Sequence, residues 1–183
     1  MPPLETPELT NNFTAPSFNL LGIDGKYYKL EEMKGPKGLV VAFICNHCPY
    51  VKAIADKIAK EALELKKLGI NFVGINSNDP INYPEDSFDK MKLFAEEHNY
   101  NFPYLFDESQ EIAKAYGAVC TPDFFGFNSD LLLLYRGRLD AAGKNFIPEA
   151  RRDLFLAMEK VSQDLPLDEK QYPSLGCSIK WKV

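Results

Sequence analysis

Cys45-Asn46-His47-Cys48-Pro49 is the segment of this chain best equipped for chemistry. Two residues between two cysteines let both sulfurs come within bonding distance where a strand runs into a helix. A helix N-terminus carries about half a positive charge and leaves its first N–H groups without partners. Both effects favour thiolate over thiol, and a cysteine so placed can fall from a pKa of ~8.5 to roughly 3.5–7.5. Thiolate is the species that attacks a disulfide, so the spacing points to thiol–disulfide exchange. Cys45, at the junction, is expected to be the more exposed sulfur and the attacker. Cys48, one helical step further in, is expected to resolve the mixed disulfide. Asn46, His47 and Pro49 would modulate the pair, His47 by stabilising the thiolate form if it is cationic. On this scheme Cys45→Ser abolishes exchange and Cys48→Ser traps a mixed disulfide.

Half of a zinc site is the competing reading of the same motif, since structural zinc takes four ligands. The chain has no second Cys-x-x-Cys, and only Cys120 and Cys177 remain to complete such a set. Exchange chemistry needs no metal and no cofactor beyond the redox-active disulfide itself. Cys120 reads as a small buried hydrophobe or an extra redox thiol. Cys177, Ile179, Trp181 and Val183 alternate with Ser178, Lys180 and Lys182, an extended pattern with one buried face. Packing alone would explain Cys177; a tail that folds back would make it an additional resolving thiol. His98 reads as a helix end. Asp79, Glu85, Asp86 and Asp89 read as a solvated loop and helix cap, and Arg136 and Arg138 as exposed strand charges.

The elements that must hold the dithiol follow from periodicity. Residues 39–44 are continuously apolar and partly β-branched, as in a strand buried on both faces. Pro49 opens a helix, where its missing N–H does no harm. Val51, Ile54, Ala55, Ile58, Ala62 and Leu65 recur at helical spacing, and Gly69 ends the run. Residues 70–75 form a second buried strand, and 76–84 a polar loop. Helices are expected over 85–98, 109–116 and 148–165. Residues 18–30 form a hairpin about Asp24-Gly25, and 123–136 a second hairpin. The order predicts an α/β sandwich with a mixed sheet.

Length and composition agree. The chain has 183 residues, enough for one domain and a tail. It divides into an N-terminal arm (1–15) lying loosely on the surface, a domain (16–165), and a C-terminal tail (166–183) packing on that domain. No apolar run nears the roughly 20 residues of a membrane span. A formal net charge of −5 without a basic cluster disfavours nucleic acid as a partner. The N-terminus shows no basic n-region and no apolar h-region, from which a cytoplasmic location is expected.

With these residues in view, the chain resembles the thioredoxin-like superfamily in its redoxin branch, the alkyl hydroperoxide reductase/thiol-specific antioxidant type. Cys45-x-x-Cys48 before a long helix is similar to the active-site motif, and Thr121-Pro122 to the cis-proline loop that shapes the substrate groove. Asn76-Ser77-Asn78-Asp79, Phe102-Pro103-Tyr104-Leu105 and the ending from Pro173 to Trp181 resemble the peroxiredoxin-like proteins with a Cys-x-x-Cys. The resemblance implies a three-layer sandwich with an N-terminal hairpin extension and places Cys120 near the dithiol. It implies a protein or small-molecule disulfide substrate and an upstream thiol/disulfide electron donor. Aligned with the peroxiredoxin Pro-x-x-x-Thr-x-x-Cys signature, Cys48 takes the cysteine, Cys45 the Thr and Val41 the Pro. The peroxide-activating Arg would fall near Pro122, and neither Pro122 nor Asp123 can replace it. The alternative activity is a thiol peroxidase using Cys48. The buried acid of thioredoxin falls at Leu39 here, so the sequence names no base for the resolving step.

Overall fold

The computed structural model describes residues 2–183. In chain order its strands are β1 (Leu4–Glu5), β2 (Asn19–Gly22), β3 (Tyr27–Lys29), β4 (Gly38–Phe43), β5 (Ile70–Asn76), β6 (Tyr104–Phe106), β7 (Cys120–Thr121), β8 (Asp123–Asn128), β9 (Leu133–Gly137) and β10 (Leu175–Ser178). Its helices are α1 (Leu30–Met33), α2 (Pro49–Lys52), α3 (Ala55–Lys67), α4 (Phe88–Glu97), α5 (Glu111–Tyr116) and α6 (Asp153–Ser162).

Seven strands form the main sheet in the order β3-β2-β6-β5-β4-β8-β9. The β4, β5 and β6 strands are parallel, and the rest pair antiparallel. Every residue of β4 is buried, as its unbroken apolar run requires. Its side chains alternate between two cores. Val40, Ala42 and Ile44 meet Val51, Ile58, Met91, Leu154 and Met158 from α2, α3, α4 and α6. Leu39, Val41 and Phe43 meet Leu30, Ala113 and Tyr116 from α1 and α5 on the other face. Helices on both faces of a mixed sheet make the three-layer sandwich expected. Each large apolar side chain so buried contributes about 1.5–3 kcal/mol.

The boundaries differ where tertiary contacts compete with local pattern. The run from Pro49 is two helices, because Ile54 leaves the helical region (φ −117°, ψ 4°) while Val51 and Ile54 both stay buried. Gly69, at φ +82°, ends the second as expected. The last helix begins only at Asp153, since Glu149 is left-handed (φ 58°) and cannot continue a helical turn. Instead of one helix over 85–98 there is a 3₁₀ turn, Pro84–Asp86, then α4 capped by Ser87. The β6 strand had no separate sequence signal; it is short and lies between β2 and β5.

Both ends of the chain are more ordered than their composition suggests. Of the arm expected over 1–15, the described residues 2–15 are not loose: β1 pairs with β10, Thr6 N donates to Ser174 O at 3.0 Å, and Thr14 bridges Leu132. Together β1, β10 and β7 form a second, three-stranded sheet. In the tail, Ile179 is buried as the alternation predicts and Cys177 is half-buried. Trp181 and Val183 are exposed, because the strand ends at Ser178 and the period-two face ends with it.

Candidate active site

The dithiol lies where the strand pattern placed it, just past the C-terminal end of β4. Cys48 is the N-cap of α2 and Pro49 its first residue, so the helix opens at the second sulfur. The Thr121–Pro122 peptide bond is cis, and β7 and β8 carry it against both cysteines. Thr121 Oγ1 lies 3.3 Å from Cys45 Sγ, and Thr121 O lies 3.4 Å from Cys48 Sγ. Both sulfurs thus meet Thr121, Cys45 at its hydroxyl and Cys48 at its carbonyl.

Neither cysteine is exposed: both stand at 0%. The expectation that Cys45 is the accessible sulfur therefore fails, because β4 carries Cys45 into the core before the chain turns. Electrostatics separates the pair in the opposite sense. Burial pushes the Cys45 thiol well up, and its interaction as donor to Cys48 and the nearby Asp86 charge add to it. Cys48 is lowered to about 5, chiefly by the hydrogen bond from Cys45, against burial. The Cys177 side chain and the backbone N–H groups of Cys177 and Val51 lower it further. The Thr121 carbonyl can accept from Cys48 only in its thiol form, and these donors outweigh it. The site thus holds its thiolate on Cys48.

A polar cluster backs Cys45. Asp86 is fully buried and accepts from Asn46 N at 2.7 Å, from Asn78 Nδ2 at 2.8 Å and from the His47 ring. It is not the solvated acid expected of an acidic loop; three donors replace its water. His47 stacks on Tyr83 with ring centroids 5.7 Å apart. Asn46 is fixed by Tyr104 Oη at 2.8 Å and by its own bond to Glu85 O at 3.0 Å. The loop after β5 is likewise polar but buried: Asn76, Ser77, Asn78 and Asp79 all lie inside. Glu85 and Asp89 are exposed as expected. The sequence reading took Asp86 for a solvated acid and met Asn76 and Asn78 only within a motif of resemblance, placing none of them at the site. Their signal was position, since loops after parallel strands converge at one end of such a sheet.

Among the described residues, the group with metal-ligand spacing is Cys45, His47 and Asp86, with ligand atoms within 4.8 Å of one another. It differs from the four-cysteine set weighed from sequence, and the His47–Asp86 bond already occupies its facing ligand atoms. Cys120 is buried on β7 and burial pushes its thiol up. Cys177 reaches the site. It stands opposite Thr121 in the β7–β10 register, which sets it alongside Cys48, and burial raises its thiol to about 11.

Arg136 is not an exposed strand charge. It is buried, pairs with Asp123 at 2.8 Å, bonds Gly117 O at 2.9 Å and lies over the Phe125 ring. Arg138 pairs with Asp153 at 2.7 Å. His98 ends α4 as expected and bonds Asp56. Beside Pro122 opens a groove of about 430 Å³, lined by Tyr50, Ile54, Leu139, Lys144 and Leu175. No helix among the described residues is long and apolar enough to cross a membrane.

Comparison with known proteins places this geometry in context. The model of the AhpC/TSA family matches residues 12–141. Peroxiredoxin Bcp of Escherichia coli (strain K12) is 28% identical over 130 residues, 71% of this chain and 78% of its own. A crystal structure of a conserved protein from Geobacillus kaustophilus superposes with a TM-score of 0.95 at 46% identity, covering 100% of this chain and 97% of that one. A secreted disulfide oxidoreductase of Mycobacterium tuberculosis shares the fold at a TM-score of 0.59 and 20% identity, over 81% of this chain and 96% of its own. The tail carrying Cys177 lies beyond the family match but within the Geobacillus alignment.

Proposed function

The chain belongs to the AhpC/TSA family, and from that premise we propose that it is an oxidoreductase working by thiol–disulfide exchange, with Cys48 as the attacking sulfur. The observation that carries this is the position of Cys48: the N-cap of α2, beside the cis Thr121–Pro122 bond, with its thiol drawn down chiefly by Cys45. Cys48 thiolate attacks a substrate disulfide, R–S–S–R′, and R′S⁻ leaves. Cys45 then loses its proton to the His47–Asp86 pair and attacks Cys48 Sγ, closing the Cys45–Cys48 disulfide as RS⁻ departs. An upstream dithiol donor reopens that bond. The attacker and resolver are thereby exchanged relative to the order expected from the sequence. Thr121 and Pro122 hold the pair and edge the groove, and Asn46 and Pro49 fix the loop.

The substrate is a protein or small-molecule disulfide, the redox group is the dithiol itself, and the location is cytoplasmic. Peroxide is the second candidate oxidant, favoured by a Cys48 thiolate at the position the peroxiredoxin signature aligns. Against it, Arg136 is committed to Asp123 and Gly117 and does not serve a developing O–O charge.

The test is the burst of leaving thiol from an aromatic disulfide. Cys48→Ser is expected to lose it and Cys45→Ser to keep it. A burst that survives in Cys48→Ser and vanishes in Cys45→Ser would return the attack to Cys45. Peroxide consumption lost with Cys48 would select the second oxidant.

A further inference from the structure

We infer that Cys177 is a third catalytic thiol, which resolves Cys48 mixed disulfides by forming a Cys48–Cys177 bond within the chain. The inference rests on Cys48 as attacker and extends it. Cys177 stands opposite Thr121 in the β7–β10 register, and Thr121 O lies 3.4 Å from Cys48 Sγ, so β10 carries Cys177 alongside the attacking sulfur. Its strand is anchored on both sides of that position. Ser174 Oγ donates to Pro122 O at 2.6 Å, Ile179 N to Val119 O at 3.0 Å, and Asp79 N to Lys180 O at 2.8 Å. Gly176 is pressed so close that a Cβ there would stand 1.9 Å from Thr121 O. Only glycine lets β10 approach that closely. A thiol held beside its target on an anchored strand reacts at a high effective concentration, and closing a bond of ~2.05 Å then needs no unfolding of the tail.

Exposure supplies the reason for a third sulfur. Cys48 stands at 0% and Cys177 is half-buried, so a Cys48–Cys177 bond lies nearer solvent than a Cys45–Cys48 bond. An external dithiol attacks the more accessible disulfide faster. The steps balance. Cys48 thiolate attacks R–S–S–R′ and releases R′S⁻. The Cys177 thiol then attacks Cys48 Sγ in the mixed disulfide, RS⁻ leaves, and the Cys177 proton passes to RS⁻. Lys180 and Lys144 favour the Cys177 thiolate against the burial that opposes it.

Tryptic mapping separates the thiols, because residues 38–52 carry Cys45 and Cys48, residues 115–136 Cys120, and residues 171–180 Cys177. Cys45→Ser protein, folded by circular dichroism, is treated with oxidised glutathione, alkylated and digested. The expected product links 38–52 to 171–180 and keeps no glutathione. Cys45→Ser/Cys177→Ser is expected to keep glutathione on Cys48. Persistent glutathione on Cys48 in the single variant, with Cys177 alkylated, overturns the inference. Cys45→Ala takes the place of Cys45→Ser if the serine variant does not fold. If Cys48 takes up no glutathione even in the double variant, it is the assignment of Cys48 as attacker that fails.

Discussion

Cys48 and Cys45 are chemically the same side chain, three residues apart, and their surroundings drive them in opposite directions. Burial, with Cys48 and the Asp86 charge behind it, pushes Cys45 up, whereas Cys45 draws Cys48 down. The consequence is a pH profile with a definite sign. The folded pKa of Cys48, about 5, lies below its ordinary value of 9.0. Between those values the folded chain holds thiolate where the unfolded chain holds thiol. Stability from this group is therefore present in full above 9.0 and lost as pH falls towards about 5. Ultraviolet thiolate absorbance of the reduced protein should show a step near pH 5, absent in Cys48→Ser. A single step near 9 would mean that neither thiol is activated. The two cysteines were plain in the sequence, but this asymmetry was not. It comes chiefly from the burial of Cys45 and its interaction with Cys48, with Asp86 and Cys177 adding to it, and only folding sets these surroundings.

At the scale of elements, β4, β5 and the β8–β9 hairpin were legible because their apolar runs or turn residues carry the strand pattern locally. Thr121-Pro122 was legible by resemblance. The β8–β9 pair also holds what local pattern could not show. Asp123 and Arg136 lie on neighbouring strands, both buried, and each looks like a surface charge when read alone. Burial raises the Asp123 carboxyl to about 6 while Arg136 opposes the rise. Removing one partner of such a pair strands the other without water. Asp123→Ala should cost about 3–5 kcal/mol in denaturant unfolding. A loss under about 1 kcal/mol would place Arg136 in reach of solvent. The same limit hid Asp86: a hydropathy pattern records that an acid is polar, not that three donors from two distant segments await it.

The whole molecule ties its two ends to the site. The β10 strand rests on β7 at the thiols, and β1 rests on β10. Thr6 fastens the stack, donating from its backbone to Ser174 O at 3.0 Å and accepting at Oγ1 from Ser174 N at 2.9 Å. That makes residues 4–6 a latch on the strand that carries Cys177. Shaving off residues 1–6 should let the tail swing, and iodoacetamide should then label Cys48 faster than in the full chain. Equal labelling rates would show that the tail holds without its latch. With the latch intact, only reagents slim enough to pass beside the tail would reach the inner sulfur, so the beginning of the chain sets the size of molecule that its redox centre admits.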